Sequence, residues 1–250
     1  MADAAAPQPA VLAIDGGNSK TDVALVAGDG TLLASARGPG INAHEVGVDQ
    51  TVLILDAVVK QAAAQLEAQL GQCPDRPLAR HTVACLANAD LPEEEVEHAT
   101  AVQAQGWSES ATVVNDTFAI LRSGLPDAVE GLEGSSPHWG VAVVCGAGIN
   151  AVGVAPDGRV TRYLALGTIS GDWGGGHDVG IAGLEAAARS ADGRGPKTVL
   201  ELLVPEHFGY DSPIDVARAV HRRELAERRT LELAPIVLGA AASSAVLAWV

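Results

Sequence analysis

An α/β fold assembled from two related halves is predicted by three features of this sequence. Short β-rich runs alternate with helical patterns along the chain. The opening stretch "AVLAIDGGNSKTDVALVAGDGTLLASA" returns near the middle as "GVAVVCGAGINAVGVAPDGRVTRYLAL". In both copies a glycine loop follows a β-rich run and leads into a second strand, and an Asp-Gly turn follows that strand. Phosphate-binding glycine loops usually feed a helix, so feeding a strand is selective for fold.

The elements follow in order. Leu12 and Ile14, then Val23, Leu25 and Val26, then Leu32 and Leu33 mark three short strands of an antiparallel meander, with a hairpin turn at Asp29-Gly30. Val48 to Leu70 is helical, with Val52, Leu55, Val58 and Val59 at spacings of three and four. His81 to Ala87 reads as a buried strand. "LPEEEVEHATAVQAQG" is a helix with Pro92 near its start, acids in its first turn and Gly106 at its end. "ATVVND" is a strand, and "TFAILRSG" a short helix closed by Gly124. Residues 125–138, rich in Pro, Gly and Ser, form a boundary or surface loop. The second copy of the opening pattern comes next, then the glycine-rich "GTISGDWGGGHD". Val179 to Ser190 and Thr198 to Leu203 are helical, as are later segments.

Composition narrows the function. With 250 residues the chain is long enough for one large domain or two lobes. Its 31 acids against 16 bases give a net charge of -15, which argues against a nucleic-acid partner. Cys73, Cys85 and Cys145 lack CxxC spacing, so reduced cytoplasmic thiols are expected rather than a disulfide framework or zinc site. "MADAAAPQPA" has no basic region before an apolar core and reads as a disordered lead-in. Leu233 to Val250 carries no charge over eighteen residues, the threshold length for a membrane span. Pro235, Gly239 and the small residues Ala240 to Ala245 favour a buried helix instead, so no membrane partner is expected.

"GAGINA", Gly146 to Ala151, matches the dinucleotide fingerprint, but strand and turn follow it where that fingerprint requires a helix. Paired glycine hairpins suggest a different device, in which backbone N–H groups cradle phosphate. Ser19 and Thr21 offer hydroxyls, Lys20 a cation, and Asp15 at a strand end a ligand for Mg²⁺. Asp116 in "VVND" reads either as a catalytic base or as the N-cap of the helix that follows.

In this order the motifs resemble the sugar-kinase, heat-shock-ATPase and actin superfamily, and within it the BadF/BadG/BcrA/BcrD ATPase family, which includes N-acetylglucosamine kinases. "AIDGGNSKTDVAL" resembles the first phosphate motif, "VVNDTFA" the central acidic motif, "VCGAGINAVGV" the second phosphate motif and "GDWGGGHDVGIAGLEAAAR" the sugar-side signature. The resemblance covers about residues 11–190. It implies a two-lobed actin-like ATPase fold of duplicated RNase H-like domains, lobes 10–124 and 139–250, with ATP and Mg²⁺ in the cleft and closure excluding water. It implies Asp116 as base for phosphoryl transfer to the 6-hydroxyl of N-acetylglucosamine or a related amino sugar, and Asp15 at the metal. Gly16, Gly17, Asn18, Ser19 and Lys20, with Gly146, Ala147 and Gly148, would hold the phosphates. Asn42, Asn150, Asp172, Trp173, Gly174 and Asp178 would contact the sugar, the indole packing on a pyranose face unless it is a core aromatic. His44 and His177 read as bystanders.

The family's second loop often reads GTGSN, and here Ala147 and Ile149 replace the hydroxyl residues. Relatives continue into an adenosine-holding segment and a returning helix that nothing here matches, so an incomplete second lobe is expected. A homodimer is among the assemblies the resemblance allows. Two other functions fit the same motifs: an ATPase activator of a 2-hydroxyacyl-CoA dehydratase, for which the cysteines offer no convincing pair, and a catalytically silent sugar- or nucleotide-binding derivative.

Overall fold

The computed structural model describes residues 9–41, 43–71, 76–125 and 138–243. Asn42, Cys73, the lead-in before Pro9, most of the 125–138 loop and the last seven residues of the apolar tail lie outside the described residues. The chain divides into two compact units, Met1–Ala142 with Val152–Leu164, and Val143–Ala151 with Ala165–Val250.

In the first unit β1 (Pro9–Gly16), β2 (Lys20–Ala27), β3 (Leu32–Pro39), β4 (Ala79–Leu86) and β5 (Ser108–Asn115) form one mixed sheet in the order β3-β2-β1-β4-β5. The meander pairs antiparallel, while β4 and β5 lie parallel to β1, reached through the helical crossovers α1 (Ala43–Leu70) and α2 (Pro92–Gln103). Alternation sends Leu12, Ile14, Val23, Leu25 and Ala84 into a core with Leu55, Val58, Val59, Ala62 and Leu66 of α1. Trp107, 1% exposed, closes this core and donates its indole N–H to Asp56 Oδ1 at 3.2 Å.

Helix α1 begins five residues before the predicted Val48. Gly47 breaks it with non-helical angles (φ 78°, ψ 169°), so the regular apolar pattern starts only beyond that kink. Helix α2 starts where the proline and acids place it. Glu94 reaches back to accept from the N–H groups of Asp90 (3.0 Å) and Leu91 (2.9 Å). The short α3 (Thr117–Gly124) follows β5.

The second copy of the opening pattern forms β6 (Gly140–Cys145), β7 (Ile149–Val154) and the short β8 (Val160–Arg162), in that sheet order. Ala142 and Val152 pack with Leu121 and Phe118 of α3. Here the copies differ: β1 has β4 as a parallel neighbour beside its hairpin partner, whereas β6 is an edge strand among the described residues.

The second unit is otherwise helical, built on α4 (Gly176–Ala191) with α5 (Leu200–Phe208), α6 (Pro213–His221) and α7 (Ala234–Ser243). Leu184, Ala187, Val204, Val216, Leu233 and Val237 form its core. Glycine sets the approach of α4: a Cβ on Gly180 would overlap the Thr230 carbonyl, and one on Gly183 would overlap Val237. Ser212 caps α6 by accepting from Asp215 N–H at 3.2 Å. Within the uncharged tail, Ala234, Val237 and Ala240 are buried while Leu238 is 60% exposed, so the helix buries one face rather than its whole surface. No helix among the described residues is long and apolar enough to cross a membrane.

Candidate active site

The residues opposite the core of the first sheet form a transverse row. Asp15 lies in register with Asp22 on one side and Cys85 on the other; Asp22 faces Arg37 and Cys85 faces Val114. These five residues line an open, mostly apolar hollow of about 830 Å³, together with Phe118 and Arg122 of α3.

The first glycine loop turns at the end of this row. Gly17 N–H donates to the Lys20 carbonyl (2.9 Å), and the Gly16 and Gly17 carbonyls accept from Ala87 and Ile41. Asn88 Nδ2 bridges Asn18 Oδ1 (2.8 Å) and the Ile41 carbonyl (3.1 Å). Gly40 presses on the loop so closely that a Cβ there would meet the Ser19 carbonyl carbon at 2.6 Å and overlap the Asn18 backbone. The loop is therefore braced from three directions, and Asn18, Ser19 and Lys20 stay exposed above it.

Two side chains behave differently from the sequence expectation. Thr21 is fully buried on the core face, so its hydroxyl does not reach the loop surface. Lys20 pairs with Asp22 at 3.4 Å, and Arg37 grips the same carboxylate with Nε–Oδ1 at 2.5 Å and Nη2–Oδ2 at 3.1 Å. The Arg37 hydrogen bonds hold the Asp22 carboxyl below the usual carboxylate range.

Asp116 ends β5. Its side chain caps nothing: the residue is helical (φ -61°, ψ -24°) with no side-chain cap bond. Asn115 takes that role, its Oδ1 accepting from Thr117 N–H (3.0 Å) and Thr117 Oγ1 (2.6 Å). The Asp116 carboxylate is thereby left for other work. Burial raises its pKa, the charge of Asp15 raises it further, and backbone N–H groups of Thr117 and Asp116 oppose the shift. Asp15 is raised in turn by burial and by Asp22, with Lys20 opposing. Between them burial and both carboxylates push the Cys85 thiol up to about 11. Like charges thus converge where β1, β4 and β5 end, and a divalent cation would relieve that repulsion. Among the described residues no three His, Cys, Asp or Glu side chains gather as a metal cage. The donor set suits Mg²⁺, which takes few carboxylates and fills its shell with water and phosphate oxygens.

This coupling has a measurable consequence. In the metal-free, nucleotide-free protein, Asp15→Asn removes a like charge and should lower the Asp116 pKa. A ¹³C NMR titration of the Asp116 carboxyl measures the shift, and an unchanged or higher value would contradict the coupling.

In the second unit the loop Gly146–Gly148 docks on the start of α4. Gly176 N–H donates to the Gly146 carbonyl (2.7 Å), and His177 N–H to the Ala147 carbonyl (2.9 Å). Asn150 Oδ1 accepts from Ala151 N–H at 2.7 Å. Asp172 accepts from Ser170 Oγ, and Asp178 Oδ2 accepts from Gly174 N–H at 3.0 Å, tying the glycine-rich loop to α4. Gly174 itself needs glycine, with φ 120°. Trp173 is 65% exposed, so it is not a core aromatic of its unit. His177 turns to Thr230 and Glu227.

Asp15, Gly16 to Lys20 and Asp116 therefore meet in the first unit; Gly146 to Gly148, Asn150, Asp172 to Gly174 and Asp178 belong to the second. Sequence reasoning missed Asp22, Arg37, Cys85 and Asn115. Counting hairpin register from Asp15 could have found Asp22, and "ND" before a helix could have found Asn115 as the capping residue.

Comparison with known proteins adds the family. The chain is 28% identical over 230 residues to an N-acetylmuramic acid/N-acetylglucosamine kinase from Clostridium acetobutylicum, covering 91% of this chain and 69% of that protein. It is 25% identical over 198 residues to an N-acetyl-D-glucosamine kinase from Dictyostelium discoideum, covering 78% of this chain and 59% of that protein. A crystal structure from Chromobacterium violaceum, assigned as an N-acetylglucosamine kinase, superposes with a TM-score of 0.71 at 22% identity, over 95% of this chain and 76% of that one. It shares the α/β fold of mixed sheet and helices. The model of the BadF/BadG/BcrA/BcrD ATPase family matches residues 12–248, and the chain belongs to that family.

Proposed function

We propose that the chain is an ATP-dependent kinase of N-acetylglucosamine or a related amino sugar, transferring the γ-phosphoryl group to the 6-hydroxyl. One observation carries this reading: the glycine loop with Asp15 and the carboxylate of Asp116 share one end of one sheet, close enough that the Asp15 charge adds to burial in raising the Asp116 pKa. The substrate class is supported by the amino-sugar kinases among its relatives.

Asp116 is the base. A raised pKa makes it a better proton acceptor than a surface aspartate, and its fixed backbone orients it toward a hydroxyl. The backbone of Gly16 to Lys20, and that of Gly146 to Gly148, holds phosphate oxygens. Asp15 holds Mg²⁺, which when bound neutralises phosphate charge. Lys20 serves less as a free cation than as a clamp on Asp22. Asn42, Asn150, Asp172, Trp173, Gly174 and Asp178 bind the sugar, and the exposed indole of Trp173 suits packing on a pyranose face. Lobes at 10–124 and 139–250, a homodimer and a cytoplasmic location belong to the same proposal.

The test is ADP release by the purified chain with Mg-ATP, comparing no sugar, N-acetylglucosamine, N-acetylmuramic acid, glucosamine and glucose. Release stimulated by an N-acetylated amino sugar supports the proposal. Sugar binding by calorimetry without release would favour a silent binding protein instead.

A further inference from the structure

We infer that Arg162, which no motif singles out, is a positioning residue that fixes Asp116 from both sides; the inference rests on the reading of Asp116 as the base. Arg162 ends β8 in the second copy of the duplicated pattern, yet its contacts lie around the end of β5. Its Nη1 donates to Glu95 Oε1 at 2.5 Å and its Nη2 to the Asp90 carbonyl at 2.6 Å. The same Glu95 oxygen accepts the backbone N–H of Asn115 at 3.1 Å. Asn115 Nδ2 in turn donates to Asp90 Oδ1 at 2.9 Å. So Arg162 shares the Glu95 oxygen with Asn115, the residue before Asp116, and holds the backbone of Asp90, whose carboxylate also accepts from Asn115. On the other side its guanidinium lies 5.8 Å from the ring centre of Phe118, two residues after Asp116.

The setting favours a functional rather than a decorative pair. The Arg162 and Glu95 side chains are 15% and 22% exposed, so water screens them far less than an open surface pair. Arg162 sets a cation against the Glu95 carboxylate and the Asp90 carbonyl together. The fork geometry of guanidinium reaches two oxygens at once, which lysine cannot reproduce.

Two readouts on the full chain test this. Amide hydrogen exchange reads positioning without reference to activity: Arg162→Ala should speed exchange at Asn115 and Thr117 about tenfold, the loss of one hydrogen bond's worth of protection, and leave the β1 and β2 amides unchanged. Kinetics reads the consequence: kcat should fall about 10- to 100-fold with KM for sugar and ATP held within about twofold, because a displaced base weakens the transition state alone. Added guanidinium ion should restore part of the rate to Arg162→Ala and none to Asp116→Asn. Arg162→Lys and Glu95→Gln, gentler changes that retain a cation or an acceptor, should fall between. Unchanged exchange at residues 115 and 117, or a raised KM with kcat intact, overturns the inference. Absence of sugar-stimulated ADP release from the unaltered chain overturns the kinase reading instead, and the exchange result still decides whether Arg162 fixes the Asp116 backbone.

Discussion

Asp116→Asn is expected to cut sugar-stimulated ADP release by about 10²- to 10⁴-fold, the range for removing a general base, while leaving the chain at least as stable. The second half follows from the sign of the pKa shift. Burial and Asp15 raise the Asp116 pKa in the folded chain. Between the ordinary aspartate value and that raised value, the folded chain binds more protons than the unfolded one, so stability falls as pH rises through the window. At neutral pH the ionised carboxylate therefore opposes folding, and a neutral amide of the same shape removes that penalty. The substituted chain should unfold at the same or a higher temperature while losing turnover, the pattern of a residue kept for activity at the expense of stability. Steady-state kinetics and thermal unfolding of the two proteins measure both halves. Full activity in Asp116→Asn would remove Asp116 from the chemistry, and a lowered unfolding temperature would mean that its role is structural.

Gly175→Ala is the second large effect. A methyl group there would lie 2.5 Å from the Cα and carbonyl carbon of Gly148 and 2.6 Å from the Ala147 oxygen. All three are backbone atoms, so no side chain can rotate away. Either the loop or the start of α4 must shift, breaking the pairing of Gly176 N–H with Gly146 and of His177 N–H with Ala147. Overpacking of this kind costs about 1–3 kcal/mol. If the loop also holds phosphate, KM for ATP should rise about 10- to 100-fold, the scale of a displacement near 1 Å. Gly148→Ala separates the two effects, because a Cβ on Gly148 meets nothing within 4 Å. It should leave the urea midpoint unchanged, yet raise KM for ATP by crowding the bound phosphate. Gly175→Ala with an unaltered urea midpoint would contradict the close packing. Gly148→Ala with unaltered KM would remove the loop from phosphate binding.

Much of the framework was legible because its signals are local. Strand alternation, the Asp-Gly turns, Pro92 with the acids behind it, and the apolar spacing of α1 each act within a few residues. The repeated strand–loop–strand pattern marked both glycine loops for the same reason. What escaped depends on register and on contacts between distant segments. Lys20 looks like a free cation until the hairpin register sets Asp22 beside it and Arg37 across from that carboxylate. Thr21 looks like a ligand hydroxyl until the alternation of β2 turns it into the core. Asp116 looks equally like a cap or a base until Asn115 is seen to hold Thr117. The Arg162–Glu95 pair joins positions 67 residues apart, and no periodicity announces it.

The most direct measurement follows the phosphoryl group itself. Single-turnover reaction of the chain with γ-labelled Mg-ATP and N-acetylglucosamine, resolved by ³¹P NMR, should show label on the sugar 6-oxygen in step with ADP. The same reaction with Asp116→Asn should leave the label on ATP. Label recovered only as free phosphate, or an identical course with and without sugar, would contradict a sugar kinase and leave a nucleotide hydrolase of the same family.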